Sequence, residues 1–120
     1  MENIGMIKEK VNKDITDKIG TDQEYFYLVG QCISFMVHKY CNVNKCLKEN
    51  LVAKTTMLSK DINSLKVHLR QLYIKCNKML YVDDKKFNNA LSMVLGYIPD
   101  NNKIDRNALE IGYMSNNILK

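Results

Sequence analysis

The residues that could bind a metal are few, and their spacing matches no strong site. His38, Cys41 and Cys46 follow one another as H-x2-C-x4-C. They could supply three ligands to zinc if a fourth group, such as Cys32 or Cys76, came near. Alternatively, the thiols act as small buried hydrophobes. Because the spacing fits no zinc-finger pattern, we favour the second interpretation and predict no metal site.

Candidates for catalysis are weaker still. Cys76 and His68 could form a nucleophilic pair, but such a pair needs an orienting third group and an oxyanion hole, and the sequence indicates neither. The paired carboxylates Asp83 and Asp84 are typical of a helix start, where acids interact well with the helix dipole. No glycine-rich loop that could hold a phosphate is present in the sequence. We therefore predict a protein that is not an enzyme and that carries no cofactor.

The basic residues are more informative, because they are concentrated in the middle of the chain. Residues 25–80 hold nine lysines and arginines against two acids, although the net charge of the whole chain is only +5. Residues 1–24 are net acidic, and residues 81–120 are balanced. Lysines spread over adjacent helices neutralise phosphates and give affinity without sequence preference. A solvated surface that serves only solubility is the other interpretation of the same pattern.

Helical periodicity is strongest in residues 25–40, where ten of the sixteen residues are large and apolar or aromatic. A helix with so little polar surface must be surrounded by others. We expect it to start with a capping box, in which the Thr21 hydroxyl accepts from the N–H of Glu24 and the Glu24 side chain accepts from the N–H of Thr21.

The polar residues of this helix share one stripe with a tyrosine. Tyr27, Gln31, Ser34 and His38 are spaced by four, three and four residues, which places them on one side of the helix. The stripe could contact a nucleic-acid backbone. More commonly, such a stripe is the side of a central helix that meets a neighbouring helix or the solvent.

Five further helices are predicted from periodicity and capping signals. They span residues 3–18, 47–58, 61–80, 83–96 and 105–115. Asp83 and Asp105 are the predicted N-caps of the last two, and Ile104 with Leu109 predicts a hydrophobic staple beside Asp105. No segment alternates with period two. The sequence therefore predicts an all-α fold, a compact bundle of about five to six helices that forms a single domain over residues 1–120.

The helix over residues 61–80 has the longest pattern. Its predicted core face consists of Ile62, Leu65, Leu69, Leu72, Tyr73, Cys76, Met79 and Leu80. Polar residues lie opposite, with Lys66 and Arg70 one turn apart. Val67 and Ile74 belong to the outer side. They are either isolated surface hydrophobes, which are normal, or a contact patch for a neighbouring subunit.

The start of the chain and its hydropathy predict a cytoplasmic protein. The opening MENIGMIKEK mixes acids with lysines and lacks the apolar stretch of about 7–15 residues found in a secretory signal. No run approaches the ~18 apolar residues of a membrane span. We expect no membrane partner and reduced cysteines.

Three stretches of the chain follow one another in the order YFYLVGQCISFMVHKY, FNNALSMVLGYIPDNNKID and ALEIGYMSNNIL. Together they resemble a known family, the C-terminal helical domain of the large subunit of type I-B CRISPR Cascade complexes. The family opens this domain with Leu-x-Gly-Gln, ends an Asn-rich helix in Leu-Gly-Tyr, and closes on Gly-Tyr-x-Ser-x-Asn. The matching residues are Leu28, Gly30, Gln31, Leu95, Gly96, Tyr97, Gly112, Tyr113, Ser115 and Asn117.

The resemblance implies a role in a surveillance complex. In that family the domain is also made as a separate small subunit, and a chain that starts at Met1 resembles that form. Several copies support the guide RNA–target DNA heteroduplex and the displaced non-target strand through non-specific backbone contacts. The implied partners are the large subunit and the backbone subunits, guide RNA and target DNA, and neighbouring copies of the same chain.

The basic residues and the resemblance agree on nucleic-acid binding. The residues expected to contact the backbone are Lys54, Lys60, Lys66 and Arg70, followed by Lys39 and Lys75. The alternative is a purely structural assembly module. Its surface would bind protein through Val67, Ile74 and the N-terminal helix, and its lysines would serve solubility alone.

Overall fold

The computed structural model describes residues 19–40, 56, 59–79, 85–115 and 119. These residues form four helices and no strand: α1 (Asp22–Tyr40), α2 (Ile62–Met79), α3 (Lys85–Gly96) and α4 (Arg106–Met114). The all-α prediction is therefore confirmed for this part of the chain. The helix predicted over residues 3–18 lies outside the described residues, and of the helix predicted over residues 47–58 only Thr56 is described, so the count of five to six stays a prediction.

Helix α1 is central, as its composition predicts. Every residue from 24 to 37 is buried, including the polar residues of that range. The helix packs most extensively on α4, and it also packs on α3 and α2. No helix within the described ranges is both long enough and apolar enough to cross a membrane. The apolar character of α1 thus reflects its burial by neighbouring helices.

The start of α1 confirms one half of the predicted capping box and corrects the other. Thr21 Oγ1 accepts from the N–H of Glu24 at 3.2 Å, as predicted. The Glu24 carboxylate accepts from the N–H of Gly20 at 3.0 Å, one residue earlier than the predicted Thr21. It therefore binds a backbone donor that lies just outside the helix.

Two glycines allow the backbones of α1 and α4 to touch. A Cβ atom added to Gly30 would lie 2.2 Å from the carbonyl oxygen of Leu109, and one added to Gly112 would lie 2.2 Å from that of Tyr27. Gln31 is fully buried in the same contact, where its Nε2 donates to the carbonyl oxygen of Gly112. This part of the polar stripe of α1 is therefore an inter-helix surface.

Helices α2 and α3 complete the core, and α2 does so through the face that periodicity predicts. On α2 the buried residues are Ile62, Leu65, Leu69, Leu72 and Cys76. On α3 they are Phe87, Ala90, Leu91 and Val94. The rings of Phe35 and Phe87 stack with centroids 4.6 Å apart, which joins α1 to α3.

Helix α4 starts as predicted. Asp105 Oδ1 accepts from the N–H of Ala108 at 3.1 Å, and Ile104 and Leu109 are both buried beside it. Helix α2 has an N-cap of the same kind that the sequence analysis did not identify, because Asp61 Oδ1 accepts from the N–H of Ser64 at 2.8 Å. The predicted cap Asp83 lies outside the described residues.

Substitution of Gly30 by alanine should strongly destabilise the fold. The added Cβ would overlap backbone atoms of α4, which cannot rotate away as a side chain can. We expect Gly30→Ala to lower the free energy of unfolding by about 3 kcal/mol or more, measured by urea denaturation.

The matched control is Gly96→Ala, because a Cβ at Gly96 meets no atom within 4 Å. That change should alter stability by no more than about 1 kcal/mol, in the stabilising direction. Equal effects of the two substitutions would contradict the close contact between α1 and α4.

Candidate nucleic-acid interface

The outward face of α2 carries exposed cations and no acid of its own helix. The 18 residues of α2 include Lys66, Arg70, Lys75 and Lys78 and no acidic residue. Arg70 and Lys75 are exposed, as is Lys60, which precedes the helix. The nearest acid in the sequence, Asp61, is engaged as the N-cap of α2.

Lys66 has a structural role that the sequence does not indicate. Its Nζ donates to the carbonyl oxygen of Tyr97 at 2.6 Å, which ties α2 to the segment that follows α3. Partial burial lowers the pKa of Lys66, and the positive charge of Arg70 lowers it further. An ammonium has three donors, so Lys66 can still contact a phosphate, but its position is set by this bond.

The predicted contact residues do not all lie together. Lys66 and Arg70 are one turn apart on one flank of α2, whereas Lys75 is rotated by about 140° from Arg70. Lys39 lies in the last turn of α1, and nothing is described of its side chain. Lys54 lies outside the described residues. The structure thus places Lys60, Lys66, Arg70 and Lys75 along one helix and its N-terminal approach.

Val67 and Ile74 lie between these two flanks of α2. Their exposed fractions are 46% and 51%, so both side chains face outward, as the periodicity predicts. Arg70 comes three residues after Val67 and four before Ile74, which makes it a neighbour of both on the helix surface. The outer face of α2 therefore mixes apolar side chains with cations.

A loop of residues 97–103 flanks the start of α2 and is held by Asp22. Asp22 Oδ1 accepts from the hydroxyl of Tyr97 at 2.7 Å and from the N–H of Asp100 at 3.0 Å. Asp22 Oδ2 accepts from the N–H of Asn101 at 3.1 Å. The Tyr97 ring also stacks on Tyr25, with centroids 5.0 Å apart.

These contacts shift two pKa values in opposite directions. Partial burial acts to raise the pKa of Asp22, but the three hydrogen bonds outweigh it and the pKa is lowered. The pKa of Tyr97 is raised by burial first, and then by its hydrogen bond to the Asp22 carboxylate and by that negative charge. Both groups therefore stay in the protonation states that keep the loop attached at neutral pH.

A cleft of about 300 Å³ separates this loop from the first turn of α2. It is lined by Ile62, Asn63, Lys66, Ile98, Pro99, Asp100 and Asn102. Ile98 is 83% exposed, the largest exposed fraction among the apolar residues described. This cleft was not predictable from the sequence. The only local signal was an isoleucine in a polar turn, and the attachment of the loop to α2 depends on residues distant in sequence.

Hydrogen bonds also connect the residues just before α2 with α4 and with His68 of α2. Arg106, at the start of α4, donates from Nη2 to the carbonyl oxygen of Ser59 at 2.6 Å. Ser59 Oγ lies 2.8 Å from His68 Nδ1. His68 is thus paired with a serine, and the residues before α2 are held against α4.

The cysteines that the structure describes are packing residues. Cys32 and Cys76 are buried and form no disulfide, which confirms that these two act as small hydrophobes. Burial raises the pKa of the Cys32 thiol. The described residues contain no group of three or more metal-binding side chains. Cys41 and Cys46 lie outside the described part, so the H-x2-C-x4-C cluster is not described as a whole.

In comparisons with known proteins, the chain matches no protein-family model, no curated protein and no solved structure.

The pKa of Asp22 predicts a stability that depends on pH. Because the folded state lowers this pKa below the ordinary value of 3.8, the stabilisation is present above the unfolded-state pKa and is lost as the pH falls through the folded-state pKa. Asp22→Asn should therefore lower the free energy of unfolding by about 1–2 kcal/mol at pH 7 and by less at pH 3. Urea denaturation at both pH values measures the difference.

The matched control for that experiment is Asp100→Asn, since the Asp100 side chain is exposed. It should change stability by less than about 0.5 kcal/mol at either pH. If Asp22→Asn lowered the free energy of unfolding by the same amount at pH 3 and pH 7, the ionised carboxylate would not be the group that holds the loop.

Proposed function

We propose that this chain is a non-catalytic small subunit of a type I-B CRISPR Cascade surveillance complex, folded as a bundle of about five to six helices. In this role it binds nucleic-acid backbone without sequence preference and stabilises the assembly around the displaced DNA strand and the guide RNA–target DNA heteroduplex. Its partners are the large and backbone subunits, the nucleic acids and neighbouring copies of itself. The observation that carries the nucleic-acid part is the outer face of α2.

That face suits phosphate binding because of what it contains and what it lacks. Arg70, Lys75 and Lys60 are exposed, and no acid interrupts them along α2. When cations on a helix contact phosphates, counterions that were condensed on the nucleic acid are released, which favours binding. Where base pairing with a guide reads the sequence, the protein needs to recognise only charge and shape.

The residues of the family resemblance support the other part of the proposal. Gly30, Gln31 and Gly112 meet in the crossing of α1 and α4, and Tyr97 stacks on Tyr25. These residues determine how helices pack. The resemblance at these positions therefore supports a similar packing of helices. The choice of nucleic acid as the ligand depends instead on the basic face of α2.

Binding to single-stranded DNA at several salt concentrations tests the proposal. We expect log K to fall linearly with log[salt], by about 0.7 for each phosphate contact on a single strand. Arg70→Gln/Lys75→Gln should weaken binding to unrelated sequences by a similar factor and reduce the slope by up to about 1.4. Lys66 is unsuitable for this test, because its substitution would also remove the bond from its Nζ to the carbonyl oxygen of Tyr97.

The matched control is Lys85→Gln/Lys86→Gln, which removes the same charge from two lysines at the start of α3. It should leave most of the slope intact. Equal slopes of log K against log[salt] for the two double variants would show that α2 is not the binding surface. A slope near zero for the intact protein would contradict nucleic-acid binding itself.

The second candidate function is a structural assembly module, which the exposure of Val67 and Ile74 favours. That hypothesis predicts no phosphate-dependent binding even when a protein partner assembles. Gel shifts at two salt concentrations, with and without the partner subunits, distinguish the two functions.

A further inference from the structure

Ile98 projects from a loop whose backbone is held in place. Its side chain is 83% exposed. The preceding residue, Tyr97, donates from its hydroxyl to Asp22 and accepts from Lys66 at its carbonyl oxygen. The N–H of Asp100 also donates to Asp22. Because these bonds already fix the loop, a contact made by Ile98 would cost little further conformational entropy.

A mainly apolar cavity of about 330 Å³ lies beside the same loop. It is lined by Ile19, Ser92, Met93, Gly96 and Tyr97. The hydroxyl of Tyr97 is already bound to Asp22, so the ring offers the cavity its apolar surface. Apolar cavities of about 150 Å³ are large enough to bind benzene. This cavity can therefore hold an aliphatic side chain.

The open space of this cavity depends on Gly96. A Cβ atom at Gly96 would meet no atom within 4 Å, and the φ of this residue lies outside the left-handed range. Neither a close neighbour nor the backbone conformation therefore requires a glycine here, in contrast to the close contacts at Gly30 and Gly112. A larger side chain at Gly96 would occupy space at the wall of the cavity.

The charges of the loop are self-complementary. Asp100 and Lys103 are exposed, and they are the only charged residues in 97–103. The loop thus has no net charge that would attract a polyanion. When two copies face each other across a two-fold axis, Asp100 of each can pair with Lys103 of the other. Such surface pairs add little affinity, but they favour one orientation over others.

We propose that two copies of this chain associate about a two-fold axis beside the loop of residues 97–103, with Ile98 of each copy seated in the cavity of the other. The exposed side chain and the cavity wall belong to consecutive residues, Ile98 and Tyr97, so a single rotation brings both contacts together. Both halves of the contact are present on one chain, which favours a second copy over an unrelated protein.

The inference rests on the proposed function, which names neighbouring copies as partners, and it assigns the surface through which two copies meet. The loop and the cavity are small compared with the surface of a permanent dimer. We therefore expect weak association, with a dimer Kd on the order of 100 μM.

Sedimentation equilibrium of the intact chain from about 5 to 500 μM tests the inference. We expect a monomer–dimer equilibrium. Ile98→Ser removes the apolar side chain without a change in charge, and Gly96→Leu fills the cavity. Each should raise the dimer Kd about tenfold or more. Both positions are exposed, so the fold should be preserved, and urea denaturation checks this.

A mixture of the two variants identifies the pairing. In the mixed dimer, Ile98 of the Gly96→Leu copy can enter the open cavity of the Ile98→Ser copy. Neither variant can make this contact with itself. The mixture should therefore associate about threefold or more tightly than either variant alone.

The matched control is Met114→Ser, which replaces an apolar side chain on α4 that is 82% exposed. It should leave the dimer Kd unchanged, because Met114 does not line the cavity.

Three results would overturn the inference. They are a chain that stays monomeric up to about 500 μM, a mixture that associates no better than its components, and a concentration-dependent series of species larger than a dimer. Salt-dependent binding of single-stranded DNA by a chain that stays monomeric would leave nucleic-acid binding standing. A dimer without such binding would support the shared surface and contradict nucleic-acid binding.

Discussion

The contact between the backbones of α1 and α4 is the constraint on which the other positions depend. Helix α1 is buried on all sides, so it can be held only by helices that approach it closely. Gly30 and Gly112 let α4 approach until a single added carbon would overlap a carbonyl oxygen. Gln31 then donates to Gly112 in a site where an unsatisfied amide would be costly. Small residues and one buried hydrogen bond thus fix which side of α1 faces α4.

A short series of hydrogen bonds connects the start of α2 to this core. Asp22, at the first residue of α1, holds three donors of the loop that follows α3. That loop accepts from Lys66 and so fixes the first turns of α2. The side chains of Arg70 and Ile98 are therefore placed relative to each other by contacts that begin at α1. The start of α2 and the loop therefore keep a fixed position relative to α1.

Local patterns predicted what depends on local structure. The core face of α2 over residues 62–76, the outward position of Val67 and Ile74, and the cap Asp105 follow from residue spacing over a few turns, and the structure confirms them. The side chains of Met79 and Leu80, which complete the predicted core face, lie outside the described part. Partners that are distant in sequence were not predictable in the same way. The bond from Gln31 to Gly112 spans 81 residues, and that from Tyr97 to Asp22 spans 75. Periodicity shows which face of a helix is buried, but it does not identify the neighbouring helix or the donor that a carboxylate will meet.

Contacts in the folded chain also show why the net charge of +5 is a poor guide to the charge of α2. Several of the described acids are engaged by backbone N–H groups: Asp61 and Asp105 cap helices, and Asp22 binds the loop. The dipole of a helix N-terminus partly offsets the negative charge of its cap. The exposed cations of α2 have no such compensation within their own helix. The fold therefore presents Arg70 and Lys75 to solvent on a helix that carries no acid of its own.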